Sequence, residues 1–126
     1  MKKAYRLLIV DDSEELIDSF NEFFSSMGYE VVTARDGFSA LKLVRETNRK
    51  IDLVITDLVM PNISGVGLIS IIKKEYPGLA TVAMTGYGDH PGALASEAEA
   101  DRIFYKPLNL FEIEKEISVL LENQTT

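Results

Sequence analysis

The sequence predicts an α/β fold, a doubly wound five-stranded parallel sheet with helices on both faces. Three observations predict it. Short apolar runs recur along the chain in the manner of strands buried on both sides. Between them lie stretches whose apolar residues step by three and four, the spacing of a helix packed along one stripe. Each strand–helix–strand crossover is right-handed, so regular alternation makes neighbouring strands parallel. The third observation is size: 126 residues, 46% of them hydrophobic, suffice for one core, whereas two domains would each be too small to pack. Residues 1–126 are therefore read as a single domain, with 122–126 a polar tail or linker stump.

The first apolar run, Leu7-Leu8-Ile9-Val10, ends at Asp11-Asp12-Ser13, residue types that cap helices. From Glu14 to Met27 the stripe is Leu16, Ile17, Phe20, Phe23, Phe24 and Met27, and Gly28 closes the helix. The phenylalanines are read as core rather than as a ligand pocket, because they keep the helical period. Tyr29 to Ala34 is the second strand, and Asp36-Gly37 opens a helix with Ala40, Leu41 and Val44 inward. Ile51 to Thr56 is the third strand, bounded by Asp52 and Asp57. A loop with Pro61 and Asn62 leads to a helix whose stripe is Val66, Ile69 and Ile72, broken at Pro77-Gly78. Leu79 to Met84 is the fourth strand. Ala93 to Ala100 reads as a helix with few large apolar anchors, the least firmly held of the five. Ile103 to Tyr105 is a short fifth strand, and Asn109 to Glu112 resembles a capping box for a last helix with Leu110, Ile113, Ile117, Leu120 and Leu121 inward.

Composition excludes several function classes. Lys plus Arg is 13 and Asp plus Glu is 20, a net charge of 13 − 20 = −7. A surface this negative repels phosphate backbones and anionic lipid, so direct nucleic-acid or membrane binding by this chain is not expected. Without cysteine there is no disulfide, thiolate nucleophile or Cys-ligated metal. The apolar run near the start breaks at Asp11, too early for a signal h-region, and no stretch is long enough to span a bilayer. A cytoplasmic protein is expected.

Chemistry in such a fold sits beyond the carboxyl ends of the strands. There the sequence places Asp11 and Asp12, Asp57, Thr85, and Lys106. Each has an ordinary reading alone, as a cap, a turn residue or a lysine before proline. Together they bring three carboxylates to one edge, and these repel one another unless a hard divalent cation, Mg2+ by preference, joins them. Add the lysine and the hydroxyl, and the edge can hold three phosphoryl oxygens. Asp57 begins a loop and can be approached in line, so it is the candidate for an acyl phosphate.

On these residues the sequence resembles the receiver domain of bacterial two-component response regulators, over the length of the chain. Asp11-Asp12 precedes Asp57 by 57 − 12 = 45 residues, Asp57-Leu58-Val59-Met60-Pro61 is similar to the phosphoacceptor motif, and Gly65, Thr85-Gly86 and Lys106-Pro107 follow in order. The resemblance implies a flavodoxin-like (βα)5 sheet in the order 2-1-3-4-5 and a cis bond before Pro107. It also implies that Asp57 accepts phosphate from a phosphohistidine of a sensor histidine kinase or histidine phosphotransfer protein. Asp11, Asp12, Asp57 and the main-chain carbonyl of Val59 would bind Mg2+, and Lys106 and Thr85 would contact the phosphoryl group. Such a chain is a signalling phosphoacceptor rather than an enzyme, although it assists its own phosphorylation and dephosphorylation. The surface of the fourth helix, fifth strand and fifth helix would switch toward a downstream protein, and a phosphorylation-dependent homodimer is compatible with it.

The chain departs from the pattern at Ile103, where the family often has an aromatic residue. Alternation puts Tyr105 on the side of Ile103 and Phe104 on the other, so signalling without the usual aromatic swing is expected. Val59 and Tyr87, two residues past Asp57 and Thr85, are expected to shield the acyl phosphate from water. His90 is read as an ordinary loop histidine. Among other functions, a phosphohydrolase with an Asp nucleophile would want a second aspartate where Val59 stands. A flavin module would not tolerate Asp11-Asp12-Ser13-Glu14-Glu15 beside a phosphate. A degenerate receiver acting only as an interaction scaffold is the remaining alternative, which the intact Asp12, Asp57, Thr85 and Lys106 make uneconomical.

Overall fold

The structure, a computed structural model, describes residues 4–46, 50–60, 63–86 and 99–124. In chain order the elements are β1 (Arg6–Val10), α1 (Glu14–Ser26), β2 (Glu30–Ala34), α2 (Gly37–Arg45), β3 (Leu53–Asp57), α3 (Gly65–Glu75), β4 (Ala80–Thr85), β5 (Arg102–Tyr105) and α4 (Leu110–Gln124). The five strands form one parallel sheet, as the alternation predicts, in the order β2-β1-β3-β4-β5, as the resemblance implies. The helix expected over Ala93 to Ala100 lies outside the described residues except for Glu99 and Ala100, which are not helical. Among the described residues, no helix is long and apolar enough to cross a membrane.

Strand alternation divides the core between the two faces. Leu7, Ile9, Leu53, Ile55, Val82 and Met84 face Phe20 and Phe24 of α1 and Ile113, Ile117 and Leu121 of α4. Leu8, Val10 and Val54 face Ala40, Leu41 and Val44 of α2 and Leu68 and Ile72 of α3. All five residues of β3 are buried, as its central place in the sheet requires. Two details differ from the expected stripes. Met27 is 46% exposed, because α1 ends at Ser26 and the chain turns at Gly28 with φ +96. On α3 the inward set is Leu68, Ile69 and Ile72, with Val66 only half-buried.

The helices begin where capping chemistry places them. Ser13 Oγ accepts the Leu16 N–H at 3.2 Å, Asp36 Oδ1 that of Ser39 at 2.8 Å, Ser64 Oγ that of Gly67 at 3.1 Å and Asn109 Oδ1 that of Glu112 at 3.2 Å. Each cap fixes where a strand-end loop stops, and so fixes the side chains standing on it. The Lys106–Pro107 bond is cis, as the resemblance implies.

The start of α3 is pressed against the end of β3. A Cβ on Gly65 would stand 1.9 Å from the Asp57 carbonyl oxygen and 2.6 Å from Leu58 Cα, both backbone atoms, whereas one on Gly67 would meet ordinary contacts at 3.5 Å. Gly65→Ala is therefore expected to lower stability by about 1–3 kcal/mol through forced backbone displacement. Gly67→Ala should be neutral or stabilising, by up to about 1 kcal/mol, since alanine favours the helix. Urea unfolding of the two variants side by side checks the contrast.

Candidate phosphoryl-acceptor site

The carboxyl ends of the strands bring the predicted residues together. Carboxylate oxygens of Asp11, Asp12 and Asp57 all lie within 4.8 Å of one another. Asp11 and Asp57 are buried and Asp12 is exposed. Asp11 closes the β1–β2 ladder, its N–H donating to the Ala34 carbonyl at 3.2 Å. Its Oδ1 accepts the Ser13 N–H at 2.8 Å, while its Oδ2 is buried with no hydrogen-bond partner among the described residues. Burial pushes the Asp11 carboxyl up to about 6, and the charges of Asp57 and Asp12 add to that, against the Ser13 N–H and the Lys106 ammonium.

Asp57 stands at the exit of the central strand. Its Oδ1 faces the Val59 N–H at 3.3 Å and its Oδ2 the Lys106 ammonium at 3.4 Å. Behind it the Thr56 hydroxyl donates to the Asp57 carbonyl at 2.9 Å. Lys106 is brought across by β5, whose ladder with β4 continues in the Lys106 N–H to Thr85 carbonyl bond of 2.8 Å. Thr85 is fully buried at the end of β4, and its Oγ1 has no partner among the described residues. Two buried, unsatisfied oxygens at one sheet edge mark a place built for a further group.

The donor set suits a hard cation: carboxylate oxygens, with no imidazole or thiolate. The buried Asp11 Oδ2 has a vacant acceptor directed at no protein donor, which a cation would satisfy. The acidic cluster thus fits Mg2+. The larger described cavity, about 640 Å3, is at the opposite edge of the sheet beside Tyr5, Ile51 and Tyr76, away from these carboxylates.

All five predicted side chains, Asp11, Asp12, Asp57, Thr85 and Lys106, belong to this edge. Val59 follows on the loop with its side chain 44% exposed. Tyr87 and His90 lie outside the described residues. On β5, Ile103 packs on the side of Leu58, Ile69 and Ala83, and Phe104 packs on the opposite face beside α4. Tyr105 is 48% exposed. By sequence Ser13 is a capping residue alone. Its N–H also holds the buried Asp11 carboxylate, and the turn from Asp11 to Ser13 was the available signal. Arg35, just past β2, carries no motif signal in the sequence. Its guanidinium donates to the Asp12 carbonyl at 3.1 Å and so braces the loop that carries two of the carboxylates.

Comparison with known proteins agrees with this geometry. The description "Response regulator receiver domain" matches residues 7–118. An uncharacterized transcriptional regulatory protein, YrkP of Bacillus subtilis, is 36% identical over 124 residues, covering 97% of this chain and 52% of that protein. The chain spans about half or less of the length of the curated relatives it matches. Among solved structures, a response regulator receiver domain protein from Methanospirillum hungatei superposes with a TM-score of 0.87 at 28% identity, covering 98% of each chain. The response regulator protein TrrA of Thermotoga maritima, solved in complex with Mg2+–BeF, superposes with a TM-score of 0.79 at 33% identity, covering 92% of this chain and 98% of that one. From the site outward to the whole sheet, then, the chain belongs to the response regulator receiver domain family.

Proposed function

We propose that Asp57 accepts a phosphoryl group from a phosphohistidine on a sensor histidine kinase or histidine phosphotransfer protein, in a Mg2+-dependent reaction. The observation that carries this reading is the convergence of three carboxylates within 4.8 Å with Lys106 at 3.4 Å from Asp57 and a Thr85 hydroxyl unpartnered among the described residues. Asp11, Asp12, Asp57 and the Val59 carbonyl would hold the cation, and the Mg2+–BeF complex of TrrA supports that assignment. When bound, Mg2+ neutralises the carboxylates and withdraws charge from the phosphoryl oxygens.

The residues divide the work. A carboxylate oxygen of Asp57 attacks phosphorus, so that an O–P bond forms as the P–N bond breaks. The electron pair returns to the imidazole nitrogen, leaving an aspartyl phosphate. Lys106 leaves its contact with Asp57 Oδ2 to donate to a phosphoryl oxygen, and the Thr85 hydroxyl donates to a second. The Val59 N–H, which now faces Asp57 Oδ1, stays with the acceptor. Movement of Thr85 toward the phosphoryl group draws on the Ile103 side of the sheet, which is aliphatic where the family often carries an aromatic ring. The changed surface beside β5 and α4 signals to a downstream protein. Hydrolysis of a small phosphoester is disfavoured because Val59, two residues after Asp57, has no acid group to protonate a leaving alcohol.

Incubation with a small phosphoramidate and Mg2+ should add about 80 Da to the intact mass, one phosphoryl group. The gain should vanish with EDTA and in Asp57→Asn, and a folded wild-type protein showing no gain refutes the reading. Val59→Asn replaces an apolar screen with a side chain able to orient water, so the aspartyl phosphate should decay faster, read by the same mass peak over time. Asp11 supplies a pH signature. Its folded value of about 6 lies above the ordinary 3.8, so its stabilising protonated form is fully present below pH 4 and is lost as pH rises through 6. In EDTA at pH 7, Asp11→Asn should therefore stabilise the protein by about 1–2 kcal/mol, allowing for solvent screening, and the gain should disappear below pH 4. Urea midpoints across that pH range test it.

A further inference from the structure

Two aspartates outside the acidic cluster share one unusual arrangement. Asp52 donates its N–H to the Arg6 carbonyl at 2.9 Å, and its Oδ2 accepts the Arg6 N–H at 2.8 Å. Asp101 donates its N–H to the Thr81 carbonyl at 2.8 Å, and its Oδ2 accepts the Thr81 N–H at 2.8 Å. In a parallel ladder, a residue's N–H looks to a main-chain carbonyl of the neighbouring strand, just upstream of the N–H that its own carbonyl accepts. In both places a carboxylate occupies that acceptor position. The chain before the aspartate is thereby released from the sheet, and the strand after it starts at a fixed residue. β3 starts at Leu53, immediately after Asp52, and β5 at Arg102, immediately after Asp101.

The reacting groups stand at the same distance beyond these two pins. Asp57 follows Asp52 by 57 − 52 = 5 residues and Lys106 follows Asp101 by 106 − 101 = 5 residues, and the two side chains meet at 3.4 Å. Because side chains alternate along a strand, a slip of one residue would turn either group to the other face of the sheet. We propose that Asp52 and Asp101 are positioning residues that set the register of β3 and β5 and so deliver Asp57 and Lys106 to each other. The inference deepens the phosphoacceptor reading and rests on it for the role of Lys106.

The two pins are unequal. β3 is held between β1 and β4, whereas β5 is an edge strand of four residues whose only described strand neighbour is β4. Asp101 carries correspondingly more contacts. Its Oδ2 is 3.4 Å from the Thr81 hydroxyl, and its Oδ1 pairs with Lys73 of α3 at 3.1 Å. Lys73 connects the β5 pin to the helix whose first residue abuts the Asp57 carbonyl. The exposed ion pair adds little beside the carboxylate-to-backbone bond. Register should therefore depend on the acceptor at Asp101 and hardly on its charge.

The experiment measures amide hydrogen exchange on the full chain, beside the rate of phosphorylation by phosphoramidate and Mg2+. The reporting amides are Lys106, bonded to the Thr85 carbonyl, and Leu58, bonded to the Met84 carbonyl. In Asp101→Ala, exchange at Lys106 should rise about tenfold while Leu58 stays within about twofold, and phosphorylation should slow about tenfold. Asp101→Asn and Lys73→Met, which keep an acceptor for the Thr81 N–H, should stay within about threefold of wild type in both readouts. Asp101→Glu keeps the charge and displaces the acceptor by one methylene, so it should also loosen Lys106, and it decides the matter if Asp101→Ala does not fold. Unchanged Lys106 exchange in the alanine or glutamate variant overturns the proposal. So does equal loosening in the core variant Ile117→Val. Asp52→Ala should in turn raise exchange at Leu58, and no change there overturns the β3 pin. Failure of the wild type to gain phosphate would refute the phosphoacceptor reading alone, since the exchange arm still decides both pins.

Discussion

Like charge held at close quarters is the constraint on which the rest of this molecule turns. Asp11 is buried with one oxygen unpartnered among the described residues, Asp57 is buried beside it, and Asp12 is exposed. Left to itself such a group would relax apart or protonate, and Asp11 is raised chiefly by its burial, with the neighbouring charges of Asp57 and Asp12 adding to it. The sheet prevents the relaxation. Asp11 is fixed by the Ala34 carbonyl and the Ser13 N–H, and Asp57 by the central strand and the Thr56 hydroxyl behind it. The cost of holding these carboxylates together is thus placed where a cation would relieve it, a local cost that a well-packed core can sustain.

The opposing cation is placed with equal care but by a weaker element. Lys106 reaches Asp57 just past an edge strand of four residues, tied to β4 by its N–H to the Thr85 carbonyl. The carboxylates come from the ends of β1 and β3 and the hydroxyl from β4, all buried strands, whereas the ammonium comes from beyond the half-buried edge strand β5. A ligand bridging the two ties a rigid element to a lighter one, which is the arrangement a switch requires.

Much of this was legible in the sequence. Residues such as Leu7 to Val10 must be buried on both faces, and Ser13, Asp36 and Asn109 carry their capping chemistry in their side chains, so the order of elements and the convergence of Asp11, Asp12, Asp57, Thr85 and Lys106 could be read directly. The less legible features depend on contacts between distant parts of the chain. β3 begins at Leu53 and not at Ile51, because the Asp52 side chain takes a ladder position that hydrophobicity cannot show. Met27 keeps the helical period of α1 yet faces solvent, because the helix has ended before it. Leu68 joins the core of α3 because α2 and α3 share one face of the sheet. Arg35 gave no periodic or motif signal at all, since its partner is a main-chain carbonyl.

The close approach of Gly65 to the Asp57 carbonyl gives the site a direction. With backbone atoms already at the limit of contact on the α3 side, the loop after β3 has no slack there. On the other flank stand a buried Thr85 hydroxyl without a partner among the described residues and the half-buried Ile103, where a larger Asp57 side chain would be accommodated. One missing methyl group thus acts as a backstop. On the phosphoacceptor reading it would bias a group added to Asp57 away from α3 and toward β4 and β5.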